Sequence, residues 1–312
     1  GVKKMKILVC DSIDAEGIFK LREAGHEVIE KTQITYEELK KEIENFDAII
    51  VRSRTKVTSE IIEKGKKLKA IARAGVGLDN IDVEAANKKG IKIISTPAAP
   101  TTSVAELTIG LMLSVLRKIS YADKAMKEGK WIKKELFGRE LGSLTVGVVG
   151  VGGRIGLEVA RILKEGFKSR VIGYDIIDVT DKAEKIGFEA TKSLDELLKK
   201  SDIVTIHVPY LPSTHHLINE EKINIMKNGA ILINTSRGDI VDGEALLKAL
   251  KTGKLAGAGL DVFHKEPPED TWEKELIGLE NVVCTCHIGA QTIEAQKQAS
   301  IMAATQLIEA LK

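Results

Sequence analysis

Cysteines, aromatic residues, long apolar runs and a charge imbalance are all scarce or missing in this 312-residue sequence, and each shortage removes a class of function. There are three cysteines, Cys10, Cys284 and Cys286. That set builds no disulfide framework, and a reducing cytoplasm is the expected setting. Cys284, Cys286 and His287 are residue types that bind metal, but C-x-C-H brings too few ligands at the wrong spacing for structural zinc, and no metal is expected. Aromatic residues make up 4% and the net charge is +2. There is neither a basic tail nor an aromatic-interleaved basic patch, so no nucleic-acid partner is expected. Lys64, Lys66, Lys67 and Lys69 read as a solvated helix end. No apolar run approaches the roughly 20 residues of a membrane span. The start, GVKKMKILVCD, passes from lysines into a short strand without a small-residue cleavage site, so no secretory signal is expected.

What remains is an ordinary globular composition, 43% hydrophobic and 29% charged, long enough for two domains. The most informative stretch is LTVGVVGVGGRIGLEVARILKEGFKSRVIGYD, Leu144 to Asp175. An apolar run, Thr145 to Val149, leads into Gly150, Gly152, Gly153 and Gly156. Ile155, Val159, Ile162 and Leu163 then recur at helical spacing, and a second apolar run, Val171 to Tyr174, ends on Asp175. This reads as the first β-α-β of a Rossmann dinucleotide-binding fold. Glycines let backbone N–H groups approach a pyrophosphate at the positive end of the helix. Asp175 stands where an acid accepts hydrogen bonds from a ribose diol; a carboxylate there repels a 2′-phosphate, favouring NAD over NADP. The turn is one residue longer than G-x-G-x-x-G. Gly150 and Gly152 are expected to make the strand-end turn, Arg154 and Ile155 to offer N–H groups, and Gly156 to allow close helix packing.

Strand and helix alternate through the first hundred residues, implying a parallel sheet wrapped by helices. Thr35 and Glu38 form a capping-box pattern. Two loops at strand C-termini carry arginines: Arg52 and Arg54 after Ala48–Val51, and Arg73 after Lys69–Ala72, with Gly75-Val76-Gly77 behind it. Such loops are where open α/β sheets bind ligands, and guanidinium forks suit carboxylate or phosphate. Pro97 and Pro100 mark a crossing point. A single long helix is expected from Thr101 or Thr102 to about Glu128, so apolar that it should be buried between domains or subunits. Lys130 to Gly142 reads as an arm carrying Trp131. Alternation then resumes, with six strands counted from Val146, and a final helix over Thr292–Leu311 is expected to return to the first domain. The expected division is 1–99 with 288–312 as a flavodoxin-like substrate domain and 100–287 as an inserted NAD domain, both doubly wound α/β parallel sheets.

Arg237, Asp261, Glu266 and His287 lie just past the C-termini of late strands, the edge that faces a nicotinamide in this topology. Hydride transfer from an alcohol needs a base, a cation for the substrate carboxylate and carbonyl oxygen, and a group that sets the base's protonation. His287 suits the first task, Arg237 the second and Glu266 the third, by favouring the imidazolium. Asp261 is placed to orient the nicotinamide carboxamide. His207, His215, His216 and His264 lie near the same edge but rank lower, since none pairs with an obvious acid.

With these residues the chain resembles the D-2-hydroxyacid dehydrogenases, in particular their phosphoglycerate-oxidising branch. The matching segments are VRSRTKVT (51–58), RAGVGLDNID (73–82), VAEL (104–107), GKW (129–131), the glycine turn with Asp175, DIVTIHVPYLPST (202–214), NTSRGDIVD (234–242), GAGLDVFHKEPP (257–268) and HIGAQT (287–292). The resemblance implies that Arg237, Glu266 and His287 are catalytic and that Arg52, Arg54, Arg73 and Gly75 to Gly77 hold a phosphorylated 2-hydroxy acid. It implies NAD contacts at the glycine turn, Asp175, His207, Pro209, Thr214, Thr235, Ser236, Arg237, Asp261, His287 and Gly289. It further implies oxidation of 3-phosphoglycerate at the entry to serine synthesis, and a homodimer bridged by the Trp131 arm. Glyoxylate or hydroxypyruvate reduction is the rival on the same scaffold. An NAD-sensing binding protein is a rival of another class, opposed by the intact Arg–Glu–His set. Pro100 stands where the family usually has Asn, and Cys286 where it has Pro. With the sequence ending at Lys312, serine feedback through a carboxy-terminal domain is not expected.

Overall fold

The structure, a computed structural model, describes residues 3–312. They form two compact units, one running to Pro100 and resuming over Ala290–Lys312, the other spanning Thr101–Gly289. The second crossover falls two residues later than expected. The Gly289 N–H donates to the Asp261 carboxylate (3.0 Å) and the Gly289 carbonyl accepts from the Ser103 hydroxyl, which ties residues 288–289 to the second unit.

The first unit holds a five-stranded sheet of β1 (Lys6–Val9), β2 (Glu27–Glu30), β3 (Ala48–Val51), β4 (Ala70–Arg73) and β5 (Lys92–Ile94). Every pairing is parallel and the order is β2-β1-β3-β4-β5, the flavodoxin-like doubly wound arrangement. Strand alternation distributes β3 between two cores. Ile49 and Val51 pack with Leu39, Ile61 and Ile62 on one face; Ala48 and Ile50 pack with Ala303 and Leu307 of the helix Ile293–Ala310 on the other. Burial on both faces explains why β3 reads as a continuous apolar run, and each such isoleucine contributes about 1.5–3 kcal/mol. The Thr35 capping box is present, with Glu38 N–H on the Thr35 hydroxyl (3.2 Å) and Thr35 N–H on the Glu38 carboxylate (2.8 Å).

The second unit holds seven parallel strands: β6 (Thr145–Val149), β7 (Arg170–Tyr174), β8 (Glu189–Thr191), β9 (Ile203–Ile206), β10 (Ala230–Asn234), β11 (Leu255–Leu260) and β12 (Val282–Cys284). Their order is β12-β11-β10-β9-β6-β7-β8. This is the six-strand Rossmann order with one strand added beyond β11. The sequence reading counted six because β8 is a three-residue, largely exposed edge strand, EAT, without an apolar signature.

The long helix expected to run to Glu128 is two helices, Thr101–Arg117 and Ile119–Lys127, broken where Lys118 adopts a left-handed conformation (φ 53°). The first of them, expected to be buried between domains or subunits, buries much of its apolar surface within its own unit. Ala105, Ile109, Leu111, Met112 and Leu116 pack into the second unit's own core, against Val146, Val148, Val159, Ile231 and Ile233.

Candidate active site

The glycine turn sits at the switch point of the second sheet, where β6 is flanked by β7 on one side and β9 on the other. Its extra residue is absorbed at the strand end. The N–H groups of both Gly150 and Val151 donate to the Tyr174 carbonyl, at 2.8 and 3.2 Å, so the backbone bulges there. Gly150 has φ +88°, and a Cβ on it would stand 2.4 Å from the His207 carbonyl oxygen. Gly153 N–H closes the turn on the Gly150 carbonyl (3.2 Å) and precedes the helix Arg154–Ile162, whose N-terminus no side chain caps. A Cβ on Gly156 would lie 2.2 Å from the Gly150 oxygen, so helix and turn approach to backbone contact. The Asp175 carboxylate reaches back over the turn and accepts the Gly152 N–H at 2.8 Å. The result is an open helix N-terminus, a cradle without side chains and an acid at the next strand end. These residues fit a dinucleotide: the first-turn N–H groups and helix dipole favour a pyrophosphate, and Asp175 suits a ribose diol.

Three loops along the same sheet edge carry the acid–base set. Past β12, the His287 N–H donates to the Asp261 carbonyl (2.9 Å), and His287 itself has φ 54°. Its Nδ1 lies 2.6 Å from Glu266 Oε2. The other Glu266 oxygen accepts the Phe263 N–H at 3.1 Å. Burial alone would raise the Glu266 carboxyl. The hydrogen bond and charge of His287, the Phe263 N–H and the Arg237 guanidinium outweigh it and hold the group below the usual carboxylate range. With Nδ1 committed to Glu266, Nε2 is the ring nitrogen available to exchange a proton. Arg237 leaves the end of β10 in a turn shaped by Asn234, which is 1% exposed: its amide donates to the Arg237 carbonyl (3.0 Å) and its oxygen accepts from Ser236 N–H (3.0 Å).

Asp261, assigned from the sequence to the nicotinamide carboxamide, is 1% exposed and already accepts from the Thr285 hydroxyl and the N–H groups of Ile288 and Gly289, at 2.7, 2.8 and 3.0 Å. Its visible work is to shape the loop that presents His287. Thr235 is buried against Thr108 (3.0 Å), and the Ser236 hydroxyl donates to the Val208 carbonyl (2.5 Å). Thr214 caps its own loop by donating to the Pro209 carbonyl (2.7 Å). His207 has its Nε2 on the Thr205 hydroxyl (2.8 Å); burial pushes its pKa down to about 3, so it stays neutral. No group of three or more His, Cys, Asp or Glu suited to a metal occurs among the described residues.

In the first unit the arginines separate. Asp11, 3% exposed at the end of β1, accepts the Arg52 N–H (2.6 Å) and the Thr55 hydroxyl (2.7 Å), and pairs with Arg54 Nε (2.9 Å). Arg54 also donates to the Cys10 and Ile34 carbonyls at 2.7 and 3.0 Å. Arg54, expected from the sequence to be a substrate ligand, has all three of its nitrogens engaged in holding the loop together. Arg52 has no acidic partner among the described residues. Its guanidinium touches the Gln291 side chain (2.9 Å) and the Ser12 carbonyl (3.3 Å), neutral groups that leave its charge uncompensated. Asn80 locks the loop by donating to the Arg52 and Thr55 carbonyls, at 2.5 and 2.7 Å. Arg73 folds over Gly75, where a Cβ would collide with its guanidinium, and Val76 beside it is exposed.

Sequence reasoning missed Asp11, Asn80, Asn234 and Gln291, whose roles depend on strand neighbours rather than on any motif. It also ranked His264 low for want of an acid, yet His264 Nδ1 lies 2.6 Å from Asp239, and that hydrogen bond raises its pKa.

Residues 109–289 match the family described as D-isomer specific 2-hydroxyacid dehydrogenase, NAD binding domain. The chain is similar to the D-3-phosphoglycerate dehydrogenase of Methanocaldococcus jannaschii, 47% identical over 99% of this chain and 58% of that protein. It is also 47% identical to the hydroxypyruvate reductase of Thermotoga maritima, over 96% of this chain and 95% of that protein. Among solved structures, the glyoxylate reductase of Paecilomyes thermophila superposes with a TM-score of 0.89 at 30% identity, covering 99% of this chain and 96% of that one. The chain thus spans little more than half the length of the phosphoglycerate dehydrogenase it matches. A family match over more than half the chain, joined to the glycine cradle and the parallel strand order, places this chain in the D-isomer specific 2-hydroxyacid dehydrogenase family.

Proposed function

We propose that this chain catalyses NAD-dependent oxidation of a phosphorylated D-2-hydroxy acid, with 3-phosphoglycerate as substrate and 3-phosphohydroxypyruvate as product. The observation that carries the reading is His287 on Glu266 at 2.6 Å, under the charge of Arg237, in the unit that bears the glycine cradle. Gly150 to Ile155 and Asp175 hold the cofactor, with Thr235, Ser236 and Gly289 nearby in the fold. NAD, when bound, supplies the two-electron acceptor. His287 Nε2 takes the hydroxyl proton, and Glu266 stabilises the imidazolium that results. Arg237 holds the substrate carboxylate and polarises the oxygen on the reacting carbon. Arg52, with Arg73 and the Gly75 to Gly77 loop, takes the phosphate; the uncompensated guanidinium of Arg52 is what favours a dianionic group.

The same machinery runs hydroxypyruvate reduction, and the relative from Thermotoga maritima, matched over nearly its whole length, favours that as the second reading. A substrate screen following NAD reduction at neutral to alkaline pH, repeated on Arg52→Ala, separates them. The phosphate reading expects the variant to raise KM for 3-phosphoglycerate by about 10-fold or more, one lost charge-assisted contact, and KM for an unphosphorylated hydroxy acid by less than about twofold. Equal changes would favour the unphosphorylated substrate. Trp131 and Phe137, 78% and 85% exposed on the arm, support a homodimer, which a solution mass equal to one chain would refute. Three free cysteines suit a reducing cytoplasm.

A further inference from the structure

We propose that Asp239 and His264 form a positioning bridge that fixes the Arg237 turn against the loop carrying Glu266, and through that loop sets the orientation of His287. The inference rests on the proposed dehydrogenase reading and adds to it two residues outside the Arg–Glu–His set.

The Arg237 turn follows β10 and the Glu266 loop follows β11. The sheet ladder joins these strands only as far as Asp261 N–H on the Asn234 carbonyl (3.0 Å). Beyond that point the two loops are held by other means. They meet backbone to backbone at Gly238, where a Cβ would stand 2.1 Å from the Phe263 carbonyl carbon. One residue on, Asp239 Oδ1 meets His264 Nδ1 at 2.6 Å. Each end of this bridge is anchored. The Asp239 carbonyl accepts the His216 N–H (2.8 Å). The His264 and Lys265 N–H groups donate to Glu273 at 2.9 and 3.3 Å, and Glu273, on the helix Thr271–Ile277, is 1% exposed. The remaining charge near the ring is Asp270, 4.0 Å from Nε2 and itself paired with Lys265 (2.9 Å). From His264 the path to the acid–base pair is short: Phe263 N–H holds one oxygen of Glu266 and His287 holds the other. A buried carboxylate under the loop and a carboxylate–imidazole bridge beside it together over-determine where Glu266 stands.

Neither Asp239 nor His264 is needed to touch substrate, so the expected signature is one of positioning. Turnover of wild type, Asp239→Ala, His264→Ala, the double variant and His264→Gln is measured with NAD, alongside the nitrogen-15 signals of the His287 ring. His264→Ala is expected to lower kcat about 10-fold, as small misplacements of catalytic groups do, with KM for NAD within about twofold. Asp239→Ala is expected to match it, and the double variant to be no worse than either single, since the second removal has no bridge left to break. His264→Gln, which keeps a donor, should recover most of the loss. The His287 Nδ1 signal should move in His264→Ala and return in His264→Gln. Additive losses, or an unmoved His287 signal in His264→Ala, would overturn the bridge. If wild type turns over no 2-hydroxy acid, the dehydrogenase reading fails by itself, and the ring signals still decide the bridge. Should His264→Ala not fold, the His287 signals of His264→Gln and Asp239→Ala serve, the first expected near wild type and the second displaced; any other pattern overturns the proposal.

Discussion

The two sheets treat their switch points in opposite ways. In the first unit the crevice between β1 and β3 is filled by a carboxylate: Asp11 takes the Arg52 N–H, the Thr55 hydroxyl and the Arg54 guanidinium. In the second, β6 and β9 end in bare backbone: the chain at Gly150 packs so close that a Cβ would lie 2.4 Å from the His207 carbonyl oxygen. The Asp11 carboxylate ties Arg54 into the loop, while the Arg52 guanidinium reaches Gln291 and the Ser12 carbonyl. The glycine turn leaves the N-terminus of the helix Arg154–Ile162 without a side-chain cap. The same topological position is thus occupied by interlocked side chains in one sheet and by bare backbone in the other.

Three experiments break or sharpen this contrast. The largest effect is expected from Gly150→Ala. The left-handed backbone costs of order 1–3 kcal/mol for a non-glycine residue, before the clash with His207 is added. NAD affinity should fall by at least about 10-fold and the melting temperature should drop; a fluorescence titration with unchanged affinity would show that the cradle need not be clear. Next, Asp11→Asn should destabilise the chain in urea by about 1–3 kcal/mol, partly screened because Arg54 is 46% exposed. Arg54→Ala should likewise lower stability while leaving substrate KM within about twofold, in contrast to Arg52→Ala. A KM effect equal to that of Arg52→Ala would return Arg54 to the ligand set.

The smallest effect concerns pH. His264 has a raised pKa in the folded chain, so its contribution is complete below its ordinary value of 6.5 and is lost as pH rises through the raised value. Glu266 is lowered, so its contribution is present above 4.5 and is lost as pH falls through the lowered value. The two together should leave stability highest between those limits. Asp239→Asn should flatten the alkaline decline by up to about 1 kcal/mol, since His264 is 43% exposed and the pair is screened. Melting curves of both proteins across pH provide the measurement, and identical alkaline slopes would remove the Asp239–His264 pair from the account.

Much of this was legible in residue order. The apolar runs of β1, β3, β6 and β10, the Thr35 capping box and the glycine turn all follow from local pattern, because burial on both faces and tight turns leave strong marks. The β8 strand left none, being short and exposed. Nothing in KISYADK announces the helix break at Lys118: it contains neither glycine nor proline, and its apolar spacing continues. The pairing of His264 with Asp239 joins residues 25 apart on neighbouring strand-end loops, so no motif records it.

The sequence by itself determined the alternating parallel architecture, the place of the nucleotide cradle and the residue types gathered at the strand ends. These depend on hydrophobic period and on glycine, which act locally. Only the tertiary structure distinguishes the partners of Arg52 from those of Arg54. They stand two residues apart, and what distinguishes them is a carboxylate 41 residues upstream of Arg52, brought alongside because β1 pairs with β3. Electrostatic partnership is a property of strand neighbours, and strand order is set by packing the whole sheet rather than by any stretch within it.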